Sequence, residues 1–292
     1  MRPRHTFRND YSSTQNLGHS FVMNQKISFI GAGKMVSAIV KSLLRSNAFQ
    51  ANEISCCSAN DGTSEALSKE TGITRHENIT ALLAAKPDLL VLGCKPQQIS
   101  ELPAETSESS NGMLILSIMA GITLSRLNNT FPVARNIVRS MPNTPGQIGS
   151  GITGYLFANQ PSDTDREMIH KVLSSLGVVK LVKEEIDIDR VTAISGSGPA
   201  YIFEFTCAME EAGIKLGLTP DLAKDLAIHT VIGAAKLMKK STFHPEELRN
   251  QVTSPNGTTQ AALESFTNDQ LREIVANATQ AALDRSIELS NA

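Results

Sequence analysis

The stretch KISFIGAGKMV, residues 26–36, decides the fold. Its run ISFI has the composition of a buried strand, Gly31-Ala32-Gly33-Lys34-Met35-Val36 follows at once, and an amphipathic segment continues to about Arg45. Strand, glycine turn and helix in that order make a phosphate cradle. Gly31 permits the tight turn, Gly33 lets backbone approach a pyrophosphate, and the amides around Ala32, Lys34 and Met35 open the helix whose N-terminus attracts the phosphates. The third position of such a turn normally holds a small residue, and here it is Val36.

Outward from this turn the pattern alternates. A second strand at 54–57 ends in Ser58-Ala59-Asn60-Asp61. An NAD site places a carboxylate at the tip of this strand, whereas Ser58 and Asn60 are short polar groups suited to a 2′-phosphate, so NADPH is the expected cofactor and NADH the alternative. Asp61 stands near enough to oppose that choice. Helix 64–70, a short strand near 73, helix 79–85 and the apolar strand 88–93 follow, leading into Cys94-Lys95-Pro96-Gln97. Strand 113–118 leads into Met119-Ala120-Gly121. Loops at the carboxyl ends of such strands line the ligand crevice, which places Cys94, Lys95, Pro96, Ala120 and Gly121 at the cofactor. Cys94 reads as packing rather than as a nucleophile. A strand at 135–140 then meets Met141-Pro142-Asn143-Thr144-Pro145, a rigid loop able to hold the Asn143 amide against a ring or a substrate. Segments 150–157, 163–176 and 178–182 close the sheet. The expected class is α/β, a Rossmann-like doubly wound sheet followed by an all-helical domain.

No strand pattern appears after residue 184. Residues 199–217 carry an apolar stripe, and Thr219-Pro220 opens a helix to about residue 240 that is rich in Ala and Gly. Leu222, Leu226, Val231, Ile232 and Leu237 cover too much of that helix for one small domain to bury, which predicts a homodimer. His229 is expected to be packed in a core, and His244, before Pro245, to mark a helix entry. Next comes LRNQVTSPNGTT, residues 248–259. A Ser-Pro-Asn-Gly turn directly before a helix leaves the N–H groups of Gly257, Thr258 and Thr259 for a small carboxylate, with the hydroxyls of Ser254, Thr258 and Thr259 in reach. Asn256 is expected in a left-handed backbone.

Composition sets bounds. The 292 residues give room for two domains, and 27 basic against 29 acidic residues advertise neither nucleic acid nor an anionic membrane surface. Cys56, Cys57, Cys94 and Cys207 form no CxxC pair and no zinc spacing, so no metal is expected and the compartment should be reducing. No apolar run reaches the roughly 18 residues of a membrane span, which favours a cytoplasmic protein. Residues 1–22 are polar and unpatterned and read as a disordered tail, with Met23 as an alternative start. The expected division is a tail at 1–22, a nucleotide domain at 23–184 and a helical substrate and dimerisation domain at 185–292.

Read together, GAGKM, CKPQ, MAG, RSMPNTP, SGSGPAY at 195–201 and above all VTSPNGTT resemble the pyrroline-5-carboxylate reductase family. The likeness spans about residues 26–290. It implies hydride transfer from a reduced nicotinamide to the ring carbon of a cyclic imine, the last step of proline synthesis, in dimers that many members assemble into larger rings. It places the substrate on Ser254, Asn256, Gly257, Thr258 and Thr259, with the Thr259 hydroxyl near the ring nitrogen. Two departures stand out: Val36, and Asn256 where the family has the first glycine of SPGGTT. A β-hydroxyacid dehydrogenase of the 6-phosphogluconate type would want a lysine base in the helical domain, and Lys215 and Lys224 lie in no such motif. A non-enzymatic NADP sensor would have no use for the second anion seat.

Overall fold

A computed structural model describes residues 25–291; the tail at 1–22 and Met23 lie outside the described residues. The first half is an eight-stranded sheet ordered β3-β2-β1-β4-β5-β6-β7-β8. Its elements are β1 (Ile27–Ile30), α1 (Lys34–Arg45), β2 (Ile54–Cys57), α2 (Thr63–Thr71), β3 (Thr74–Arg75), α3 (Ile79–Ala84), β4 (Leu89–Leu92), α4 (Thr106–Ser109), β5 (Leu114–Ser117), α5 (Leu124–Thr130), β6 (Asn136–Met141), β7 (Gly151–Phe157), α6 (Asp163–Ser174) and β8 (Gly177–Leu181). Strands β1, β2, β4 and β5 are buried at every residue, as two-sided coverage demands. One core layer joins Val36, Ile39 and Leu43 of α1 to Val172 and Leu173 of α6. The other joins Leu82 and Leu83 of α3 to Leu127 and Phe131 at α5.

The sheet departs from the expected parallel order at its far edge. Strand β7 runs antiparallel to β6, and β8 runs parallel to β7. The connection explains this: β6 and β7 are joined only by the short loop 142–150, too brief for the crossover that a parallel neighbour needs.

Val36 at the third turn position is accommodated by a glycine across the sheet. It is buried in the core, and a side chain on Gly93, just past β4, would collide with the Val36 methyl group. The space usually created by a small residue on the helix is here created on the strand.

Helices α7 (Ile186–Val191), α8 (Gly198–Lys215), α9 (Pro220–Lys240), α10 (Pro245–Gln251), α11 (Thr258–Asn268) and α12 (Leu271–Asn291) make the second half, with one π-helical turn, Thr192–Gly196, ahead of α8. Helices α8 and α9 lie close because Gly213 faces Ala223; a Cβ on Gly213 would stand 3.1 Å from that of Ala223. Proline opens α8, α9 and α10, where its missing N–H costs nothing. At α10 the His244 N–H donates to Glu247 and His244 Nδ1 accepts from the Glu246 N–H, the helix entry expected of this histidine.

These helices leave a broad apolar face in a single chain. Phe203, Leu222, Leu226 and Leu237 are exposed, Phe203 by 64%. His229, expected in a core, is also exposed on this surface. Among the described residues no helix is long and apolar enough to cross a membrane, and no group of three or more His, Cys, Asp or Glu side chains could hold a metal ion.

Candidate active site

The site begins at the carboxyl end of β1. Gly31 has φ +101°, and its N–H donates to the Cys57 carbonyl at 2.7 Å, tying the turn to β2. A Cβ there would stand 2.6 Å from the Gly93 backbone, so glycine is required by conformation and by space. Gly33 differs: a Cβ on it would meet nothing within 4 Å, leaving open room in front of the first turn of α1. No side chain caps α1. A pyrophosphate suits such a cradle, and the residues present fit a dinucleotide.

A crevice of about 560 Å³ extends from this turn, bounded by Ile30, Gly31, Ala32, Gly33, Cys57, Ser58, Gly93, Cys94 and Lys95. Lys34 faces the neighbouring groove over α1, and Met35 packs against the core, so neither side chain enters the crevice. Pro96 starts a tight turn in which the Lys95 N–H donates to Gln98 Oε1 at 2.9 Å. Burial pushes the Cys57 thiol up to about 12 and the Cys94 thiol to about 11, which keeps both protonated and unreactive at neutral pH.

At the tip of β2 the arrangement differs from the expectation drawn from Ser58 and Asn60. The Ser58 hydroxyl contacts Asp61 at 3.1 Å and Thr63 at 3.1 Å and accepts from the Ser64 N–H at 3.2 Å, so it is engaged by the protein. Asn60 does not border the crevice, whereas Asp61 and Thr63 do. Asp61 Oδ1 accepts from the Thr63 hydroxyl at 2.7 Å and from the Thr63 N–H at 3.0 Å, and these bonds hold its carboxyl below the usual range. Asp61 therefore presents a charge at the β2 end of the crevice. Its replacement by Ser is expected to raise the ratio of kcat/KM for NADPH over NADH roughly fivefold to tenfold, the worth of one solvated charge near a phosphate. Parallel kinetics with the two cofactors check this; an unchanged ratio would mean that Asp61 does not read the ribose.

The crevice also takes in residues that the sequence reading passed over, namely Glu77, Asn78, Ile79, Gln98, Glu101, Leu102 and Pro103. The first three follow β3, whose two residues are too short to announce a loop of their own.

The loops after β5 and β6 carry the other expected cofactor residues, and none of Ala120, Gly121 and Asn143 lines the crevice. Gly121, with φ +69°, passes beneath the last turn of α12, where a Cβ would stand 2.9 Å from Leu289. Ala120 sits beside it, half-buried. The Asn143 amide is engaged by the protein. Its Nδ2 donates to the Ser195 carbonyl at 3.1 Å and its Oδ1 accepts from the Ile152 N–H at 2.9 Å, so the amide ties the π-helical turn to β7.

The anion seat lies ahead of α11. Asn256 has φ +57°, the left-handed backbone expected of it. Gly257 closes the turn, and this changes the donor set: its N–H donates to the Ser254 carbonyl at 3.0 Å and is not free for a ligand. Thr258, Thr259 and Gln260 supply the open N–H groups instead, none of them engaged by an acceptor among the described residues. Glycine at 257 also makes room for the Ser254 hydroxyl, since a Cβ would stand 2.5 Å from that oxygen. Asn256→Gly should then be nearly neutral, while Asn256→Val should cost about 1–3 kcal/mol of local strain and most of the activity. Thermal melts and kinetics on both variants check this; equal behaviour would show that the backbone conformation does not matter.

In the single chain this seat stands apart from the crevice. None of Ser254 to Gln260 borders it, and no hydrogen bond among the described residues joins them to the sheet domain.

Residues 26–121 match the family described as NADP oxidoreductase, coenzyme F420-dependent, and residues 185–289 match pyrroline-5-carboxylate reductase dimerisation. The chain is 39% identical over 273 residues to a pyrroline-5-carboxylate reductase of Pseudomonas aeruginosa, covering 91% of this chain and 97% of that protein. It is 37% identical over 273 residues to that of Vibrio alginolyticus, covering 91% and 98%. A pyrroline-5-carboxylate reductase structure from Coxiella burnetii superposes with a TM-score of 0.84 at 32% identity, covering 91% and 99%. A pyrroline carboxylate reductase structure from Plasmodium falciparum with NADP bound gives 0.79 at 28%, covering 91% and 98%. The fold and the site define a dinucleotide-dependent oxidoreductase with an appended helical domain. Within that class the chain belongs to the pyrroline-5-carboxylate reductase family.

Proposed function

We propose that this protein reduces 1-pyrroline-5-carboxylate to L-proline with NADPH, accepting NADH as the alternative donor, in the final step of proline synthesis. The observation that carries this reading is the presence, in one chain, of two anion seats of different size: the glycine cradle before α1 and the open N-terminus of α11. The Gly31–Gly33 turn and the α1 amides would hold the pyrophosphate, Ser58 and Asp61 would face the ribose, and Cys94, Lys95, Ala120 and Gly121 would border the remainder. Bound there, the reduced nicotinamide supplies the hydride for the imine carbon. The chain's own contribution is positioning. The Thr258–Gln260 amides and the Ser254 hydroxyl receive the substrate carboxylate, and the Thr259 hydroxyl stands by the ring nitrogen, where a proton is held as the carbon is reduced.

We take residues 23–184 as the cofactor domain and 185–292 as the substrate and dimerisation domain of a homodimer, with rings of dimers as the larger form, working in the cytoplasm with neither nucleic acid nor membrane as partner. The exposed apolar faces of α8 and α9 require a second copy, and the seat's separation from the crevice in one chain makes the dimer the state in which the site is complete. Light scattering should give a dimer or a multiple of it at micromolar concentration; a well-folded monomer with full activity would contradict this. Consumption of NADPH with 1-pyrroline-5-carboxylate, and no formation of NADPH from NADP and a β-hydroxyacid, tests the reaction itself.

A further inference from the structure

We propose that Arg139 is the positioning residue for the nicotinamide half of this site, an inference that rests on the reductase reading above. Arg139 lies on β6, four residues before Asn143, and is 1% exposed. Its Nη1 donates to Glu185 Oε1 at 2.9 Å, and its Nη2 donates to Asp189 Oδ1 at 2.8 Å and to the Ser290 hydroxyl at 3.3 Å. Its Nε is buried without a partner, so all of its bonding runs through these two arms.

Each carboxylate passes the connection on to another element. Glu185 Oε1 also accepts from the Leu124 N–H at 2.7 Å, at the start of α5, and so fixes the chain that leaves Met119-Ala120-Gly121. Asp189 Oδ1 also accepts from the Ser286 hydroxyl at 2.8 Å and thereby holds the last turns of α12, which lie over Gly121. One guanidinium thus joins β6, α5, α7 and α12. These elements carry or cover the loops after β5 and β6, and in a doubly wound sheet those loops receive the second nucleotide half. The crevice beside β1, β2 and β4 is lined by none of these groups.

The division predicts a separable defect. Lysine at 139 keeps the charge but has one arm, and cannot satisfy Glu185 and Asp189 together. Arg139→Lys should lower kcat roughly 10- to 100-fold while the KM for NADPH stays within about threefold, because misplacement of reacting groups affects the transition state more than cofactor affinity. The fluorescence of bound NADPH should shift toward that of the free cofactor, and amide exchange at residues 119–124 should speed up. Arg135→Lys is the control: Arg135 bonds Asp165 and the Gly112 carbonyl at the opposite end of the same strand, and its loss should lower Tm alone. Arg139→Lys behaving like Arg135→Lys, with unchanged kcat, fluorescence and exchange, would make Arg139 a fold strut and overturn the inference. Should Arg139→Lys not fold, Glu185→Gln, which can still accept from Leu124, should show the same pattern at about three- to tenfold in kcat, and no change there overturns it equally. A wild-type protein that binds NADPH but leaves 1-pyrroline-5-carboxylate untouched would remove the reductase reading instead, while fluorescence and exchange would still report on Arg139.

Discussion

Thr259→Ala is expected to lower kcat and kcat/KM together by about 10- to 100-fold, the worth of one hydrogen bond of roughly 1.4–2.7 kcal/mol made to a group whose charge changes during reaction. The substitution leaves the Thr259 N–H in the seat and removes only the hydroxyl, which has no hydrogen-bond partner among the described residues and is therefore free for a ligand. Ser254→Ala should behave differently. Its hydroxyl lies beside Gly257, and in the proposed function it would meet a carboxylate whose charge is the same before and after hydride transfer, so the loss should fall on KM. Steady-state kinetics on the two variants separate these roles. An increase in KM alone for Thr259→Ala would make Thr259 a binding residue and leave the proton to solvent.

Gly31→Ala should abolish cofactor binding and destabilise the fold. A side chain there combines φ +101° with a contact of 2.6 Å to the Gly93 backbone, and a backbone at the core of a parallel sheet has nowhere to move. Strain of about 1–3 kcal/mol and the overlap together should exceed roughly 3 kcal/mol. Gly33→Ala is the contrasting case, because its Cβ enters open space: Tm should hold while the Kd for NADPH rises at least tenfold, the methyl group standing where phosphates must approach. Melting curves and cofactor titration read both outcomes. Normal NADPH binding by Gly31→Ala would contradict the placement of the pyrophosphate.

The sheet was legible in the sequence because each central strand is a short apolar run followed by a turn or a helix pattern, and such runs keep their identity wherever the fold puts them. Strand direction was not. Apolar periodicity is the same for a parallel and an antiparallel neighbour, so the reversal at β7 had to be read from the shortness of the 142–150 loop. Asn256 announced its own backbone, since few other residues tolerate positive φ. The side-chain partners were hidden for a different reason. Asn143 meets Ser195, and Arg139 meets Glu185, Asp189 and Ser290, across separations of 46 to 151 residues that no local pattern encodes. At the anion seat the error was one bond: a Ser-Pro-Asn-Gly turn closes on its own glycine N–H, and the donors begin one residue later.

The proposed reduction needs the N-terminus of α11 as a carboxylate seat for a cyclic imine held against the crevice in the assembled dimer. Comparison of 1-pyrroline-5-carboxylate with 1-pyrroline, the same imine without its carboxylate, tests this most directly. With NADPH saturating, kcat/KM should be about 10²- to 10⁴-fold higher for the carboxylate-bearing imine, the worth of two hydrogen bonds to a charged group at roughly 1.5–3 kcal/mol each. Equal kcat/KM for the two imines, or no L-proline formed from the first, would contradict it.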